Sequence, residues 1–186
     1  MATSIPERWH PLSRSLHWLI AILFLCAWGS VELHESYQRG DPMRSWWMVL
    51  HFSIGLTILL LVLARIYGRT AHPRPQLYGG RWQRKVSLSV EGLMYVVMLA
   101  MPITGLAMRQ FEGDETLVFW LFRIPALVQE NEGIAEQLEF FHKELIWNTF
   151  LGLLVLHIAG ALWHHFGKGD ATLRHMLPWG RNSQGS

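Results

Sequence analysis

The sequence predicts an all-α integral membrane protein built as a four-transmembrane-helix bundle, and three observations carry that prediction. Four apolar runs reach the length of about 20 residues that crosses a hydrocarbon layer as a helix. Charged residues make up only 16% of the 186 positions, against 51% hydrophobic, whereas a soluble domain carries about 25% charged residues. Ten tryptophans cluster at the ends of the apolar runs, where an amphipathic ring suits a membrane–water interface. No water reaches the hydrocarbon, so each run must satisfy its own backbone hydrogen bonds, as a helix does. One domain over residues 1–186 is the natural expectation at this length.

The first span covers about residues 13–34, with His17, Ser30 and Glu32 inside it. It reads as a span rather than a cleaved leader, because His17 and two tryptophans interrupt the apolar run. The second covers about 46–67 and contains His51. The third, about 86–108, has Glu91 near its start and Pro102 inside. The fourth, about 140–166, holds His142, His157 and the pair His164–His165. Thr116–Val128 is mostly apolar but too short to span. Pro125 and the flanking acids predict a short interfacial helix there, in the third loop. Residues 181–186 are polar and read as a disordered tail. The single Cys26 excludes an internal disulfide. A formal charge of +2 without any long basic run argues against nucleic acid.

Positive charge sets the orientation. Arg65, Arg69, Arg74, Arg81, Arg84 and Lys85 crowd the second loop, and the chain ends add Arg8, Arg14, Lys168, Arg174 and Arg181. The first and third loops hold only Arg39, Arg44, Arg109, Arg123 and Lys143, a split of eleven against five. The positive-inside rule then places both termini in the cytoplasm of a multi-pass bacterial inner-membrane protein.

An ionisable residue inside a membrane is expensive and marks function by default. Depth sorts four histidines into two pairs. His17 and His157 lie near the cytoplasmic ends of their helices, and His51 and His142 near the periplasmic ends. His142 and His157 are fifteen residues apart, or about 22 Å along a helix, which leaves room for two haems one above the other. A haem iron takes one axial ligand on each face, so each porphyrin needs two imidazoles from opposite helices. Gly55, one turn below His51, removes a side chain where a porphyrin face would lie. Singly, such histidines are usually satisfied core residues. A zinc or di-metal site would call for clustered ligands or carboxylates, and the spans offer only Glu91. A non-redox, histidine-lined metal-binding membrane protein is the alternative of another class. Arg14, one turn from His17, suits a haem propionate, a salt bridge or a phospholipid equally.

The sequence resembles the bacterial cytochrome b561 family from about Leu12 to Pro178. The shared pieces are Ser15-Leu16-His17-Trp18, His51-x-x-x-Gly55 and Pro102-x-x-Gly105-Leu106. The most specific is Leu156-His157-x-x-x-Ala161-Leu162-x-His164-His165, followed by Leu173-Arg174-x-Met176. The resemblance implies two non-covalent haem b groups with His17, His51, His142 and His157 as axial ligands of the haem iron, and His164 beside a ubiquinone. It implies a superoxide:ubiquinone oxidoreductase that needs no partner protein, with superoxide as electron donor and ubiquinone as acceptor. The acidic third loop is a poor attractant for an anion, which keeps open a membrane electron-transfer subunit working between quinone and a partner dehydrogenase or hydrogenase. The chain also carries one residue more between His142 and His157 than the family usually has. That residue would rotate His142 by about 100° on an ideal helix, unless a π-bulge or an irregular start near Phe141 absorbs it.

Overall fold

The computed structural model of the chain describes residues 8–76 and 78–177. The tail read as disordered, 181–186, lies outside them. Four helices are long and apolar enough to cross a membrane: α1 (Pro11–Ser36), α2 (Pro42–Ala71), α3 (Arg81–Phe111) and a composite fourth span, Glu132–Gly167. The composite consists of α4 (Glu132–Phe140), a π-helical stretch Phe141–Ile146, α5 (Trp147–Leu162) and a second π-helical stretch, Trp163–Gly167. Each helix extends beyond its apolar run because polar residues start it. Pro11 and Pro42 occupy first-turn positions, where a missing N–H costs nothing. Asp41 accepts from Met43 N–H at 2.8 Å, Gln83 from Gly80 N–H at 3.0 Å, and Asn131 from Ile134 N–H at 3.1 Å.

α1 and α2 run antiparallel in close contact through small residues. Ser13 lies against Gly68, where an added Cβ would meet the Ser13 hydroxyl at 3.9 Å, and Ser30 and Ser53 are fully enclosed. Small side chains let helix backbones approach where lipid supplies no hydrophobic drive. Close backbone contacts continue from α2 to α3 and from α3 to the fourth span, and neither α1 nor α2 packs as closely on that span. Leu16, Ile20, Ile54, Ile58, Val62, Val97, Met98, Phe150 and Leu153 fill the middle. The bundle therefore has two distinct ends. One, the terminal end, gathers residues near both chain ends and the α2–α3 loop; the other is the hairpin end.

The expected interfacial helix in the third loop is not there. Thr116–Val118 (β1) and Phe122–Ile124 (β2) pair antiparallel, with Val118 opposite Phe122. The segment is rich in β-branched and aromatic residues, which fit a pleated surface, and Thr116 and Val118 alternate inward against α2. Pro125, read as a helix-surface feature, instead follows the second strand directly. Leu121 N–H donates to Val118 O at 3.0 Å, and Phe119 and Trp120 take φ values of 47° and 58°. Left-handed values at both central positions define the turn whose twist suits a hairpin. They cost roughly 1–2 kcal/mol per residue for side chains larger than glycine. Two contacts hold the turn: Phe119 N–H donates to Ser53 Oγ of α2 at 2.7 Å, and Trp120 stacks on Trp46 with ring centres 4.9 Å apart.

Ser53→Ala removes the acceptor for Phe119 N–H. The variant is expected to lose about 1–3 kcal/mol of stability and to exchange the amide hydrogens of Phe119–Leu121 faster. Wild-type exchange at those positions would contradict the anchoring role of Ser53.

Candidate functional site

The bundle brings the four intramembrane histidines together in the two pairs that depth suggests. The His17 ring of α1 faces the His157 ring of α5 with centres 6.0 Å apart and planes at 64°. His51 of α2 faces His142 of the fourth span at 6.3 Å and 90°. A metal–imidazole bond is about 2.0 Å long, so two imidazoles on opposite faces of one metal atom have ring centres about 6 Å apart. Both pairs have that spacing. Both join helices that are not packed closely on each other, α1 or α2 and the fourth span. A Cβ built on Gly55 meets no atom within 4 Å.

Three of the four rings are aimed by a neighbouring helix. His51 Nδ1 lies 3.0 Å from Ala27 O of α1, and His142 Nδ1 lies 2.8 Å from Met101 O of α3. A carbonyl only accepts, so both rings donate from Nδ1 and keep the Nε2 lone pair for a metal; fixing the tautomer through the far nitrogen is how ligand histidines are prepared. Gly105 supplies the clearance for His142, since a Cβ there would sit 2.9 Å from the ring's Cε1. His17 is held differently. Its Nδ1 is 2.8 Å from Arg65 Nη1, and Arg65 is buried in α2.

His142 itself lies within a π-helical stretch, Phe141–Ile146. A π turn takes up one residue without breaking the helix, and so His142 faces His51 while His157 faces His17. Between the two levels Phe24 of α1 stacks on Phe150 of α5, with ring centres 4.6 Å apart.

Among the described residues no three His, Cys, Asp or Glu side chains gather as a zinc or di-metal site requires. Glu91, the acid that the sequence offers to such a site, is held by both terminal nitrogens of Arg69. His164 joins neither histidine pair. It lies in the second π-helical stretch, with Nδ1 2.5 Å from Asp170 Oδ2. Gly169, at φ +67°, reverses the chain so that Asp170 N–H caps His164 O at 3.1 Å. Partial burial raises the Asp170 carboxyl, and hydrogen bonds from His164 and Thr172 outweigh it, leaving the pKa below the usual carboxylate value. An ionised Asp170 therefore accepts a hydrogen bond from His164 Nδ1–H and leaves His164 Nε2 for another partner.

Sequence reasoning missed several of these parts. Arg65 counts as a loop charge when the second apolar run is ended at Ala64, yet α2 continues to Ala71. Asp170 had a usable signal, as the acid closest in sequence to a histidine at a strongly basic end. The carbonyls of Ala27 and Met101 carry no sequence signal.

Gly105→Ala drives a methyl group into the His142 ring. The variant is expected to lose low-spin haem absorbance at the His51–His142 level and to keep it at the other. An unchanged low-spin spectrum would mean that His142 is not held against α3 in this way.

Comparison with known proteins fits this architecture. The sequence profile of prokaryotic cytochrome b561 matches residues 8–179. A protein of Yersinia pestis named probable superoxide oxidase CybB is 32% identical over 177 residues, covering 92% of this chain and 97% of that protein. Two Escherichia coli K12 proteins are also similar. Cytochrome b561 homolog 2 is 29% identical over 94% of each chain, and cytochrome b561 homolog 1 is 24% identical over 88% of this chain and 93% of its own. The chain belongs to the prokaryotic cytochrome b561 family, multi-pass membrane electron-transfer proteins that bind b-type haem.

Proposed function

We propose that the chain is a di-haem cytochrome b that carries electrons through the membrane, from superoxide at the hairpin end to ubiquinone at the terminal end. The observation that supports it most directly is the pair of histidine couples, at 6.0 and 6.3 Å, each spaced for one iron. His17 and His157 would be the axial ligands of one haem, and His51 and His142 those of the other. Bound haem supplies reversible one-electron chemistry. The chain's part is to hold the imidazoles, separate the two levels by about four turns of helix and keep water out with the apolar core. The excess of basic residues at the terminal end supports a cytoplasmic placement for it, with the hairpin end in the periplasm of a bacterial inner membrane.

The donor follows from resemblance and charge together. The Yersinia pestis relative is named a probable superoxide oxidase, which supports superoxide here. At the hairpin end Arg109 is bound by Glu112 and Asp114, Arg123 by Glu115 and Lys143 by Glu139. Arg44 instead donates to the carbonyls of His34 and Tyr37 at 3.1 and 2.9 Å. It thus keeps its positive charge clear of any carboxylate contact among the described residues, and would attract an anion. The same neutralisation of three cations favours, as the second reading, a subunit that takes electrons from a partner enzyme. On the acceptor side, Asp170 would hold His164 so that Nε2 can hydrogen-bond a quinone carbonyl and pass it a proton.

Pyridine haemochrome assay of the purified protein should give two non-covalent haems per chain. A value near one, or haem that resists acid-acetone extraction, contradicts the reading. His17→Ala and His51→Ala should each remove one haem component, and different ones; loss of the same component from both would break the pairing.

His164→Ala should slow ubiquinone reduction while superoxide still reduces the haems, at a cost of about 1–3 kcal/mol for a buried contact. Asp170→Asn should act in the same direction and less strongly. If superoxide fails to reduce the wild-type haems, the partner-fed subunit becomes the better reading. If His164→Ala turns over ubiquinone normally, the acceptor site lies elsewhere.

A further inference from the structure

We infer that Arg65 and Tyr95 form a carboxylate-binding cradle for the propionates of the haem between His17 and His157. The inference rests on the proposed ligation at that level. A small cavity at the terminal end is lined by Trp9, Ser13, Arg65, Arg69, Tyr95 and Met176. Its polar groups are chiefly donors. Arg69 is already answered by Glu91, which grips it with both oxygens. Arg65 is not: among the described residues no carboxylate forms an ion pair with it, although it is only 8% exposed. Its guanidinium lies 5.6 Å from the centre of the Tyr95 ring, and the Tyr95 hydroxyl is buried without a hydrogen-bond partner. A buried cation without a counter-ion and a buried hydroxyl without a partner are costly unless an anion joins them.

The ligation sharpens this demand. A histidine that binds iron through Nε2 carries its proton on Nδ1, and a guanidinium can only donate. The Arg65–His17 hydrogen bond is then impossible, and Arg65 needs another acceptor in the same place. Ser13 lies one turn from His17 toward the terminal end, Trp9 precedes the start of α1 at that end, and Arg69 lies one turn beyond Arg65 in the same direction. The cradle is thus at the water-facing edge of this level, where the charged edge of a porphyrin belongs. Arg14, the propionate partner suggested by sequence, instead donates to Leu177 O at 3.1 Å. Together with Trp18, which donates to Met176 O at 2.9 Å, it ties the tail across this end. That covering favours a carboxylate arriving from inside the bundle over a lipid phosphate from outside.

The test is a redox titration of the purified holoprotein in phospholipid-free detergent, comparing wild type, Arg65→Met, Arg65→Lys and Tyr95→Phe. His17→Ala identifies which haem component belongs to this level; if it removes neither, the ligand assignment has failed and the cradle falls with it. Arg65→Met should lower the midpoint potential of that component alone, because a neighbouring cation favours the reduced, less positive state. Arg65→Lys should restore most of the shift. Tyr95→Phe should move a carboxylate band in the redox-difference infrared spectrum, and if Arg65→Met does not accumulate, this band and the lysine variant decide. With His17 confirmed as a ligand, an unmoved potential and an unmoved carboxylate band overturn the cradle, as do equal shifts of both components. An effect seen in phospholipid but lost on its removal would assign the site to a lipid phosphate instead.

Discussion

A neutral imidazole has one nitrogen that donates and one that accepts, and inside a hydrocarbon layer neither can be left to water. The architecture of this bundle depends on how those nitrogens are satisfied. Ala27 of α1 offers its carbonyl to His51 of α2, and Met101 of α3 offers its carbonyl to His142 of the fourth span. Arg65 of α2 reaches His17 of α1. Every such contact joins two helices, so what orients the rings also fixes which helices are neighbours. Close packing runs from α1 through α2 and α3 to the fourth span, leaving the two histidine pairs to face each other across the looser side. The Nε2 atoms of His51 and His142 stay free of helix contacts, and the ring centres of the two pairs, 6.0 and 6.3 Å apart, have a separation that suits an iron atom.

Two departures from ideal backbone make this arrangement possible. The π-helical stretch around His142 turns the ring onto the face that meets His51, and the small Gly105 lets it lie against α3. The hairpin turn holds two aromatic residues in left-handed conformations, offset by a hydrogen bond to Ser53, a stack on Trp46 and the burial of Thr116 and Val118. Strain of this kind persists only where the surroundings over-determine it. Here it places a rigid apolar turn beside the helix that carries His51, at the end of the bundle proposed to accept electrons.

The helical architecture was legible because lipid imposes a single rule, that spanning segments be long, apolar and helical, and each run obeyed it. The pairing of histidines was legible too, since depth along a helix follows directly from residue count. The third loop was not. Thr116–Val128 is apolar with no clear period, and its conformation is decided by contacts with α2 and Trp46 that sequence spacing does not reveal. Arg65 was hidden for another reason: a charge at the margin of an apolar run looks like loop, and only the continued helix shows that it is buried. The part played by Asp170 depends on a glycine-mediated reversal after His164, a long way from any periodic signal.

Electron transfer across the membrane requires two redox centres set at different depths, and the ring angles make each pair distinguishable. In a ferric bis-histidine haem the angle between the imidazole planes sets the splitting of the iron d orbitals. Near-perpendicular planes give a highly anisotropic low-spin signal, and more nearly parallel planes a rhombic one. The rings stand at 90° in the His51–His142 pair and at 64° in the His17–His157 pair. Low-temperature electron paramagnetic resonance of the oxidised protein tests the central claim most directly. The account predicts two low-spin ferric signals of equal intensity, the more anisotropic of them lost in His51→Ala. A single low-spin signal, or a stoichiometric high-spin signal in the wild type, would contradict it.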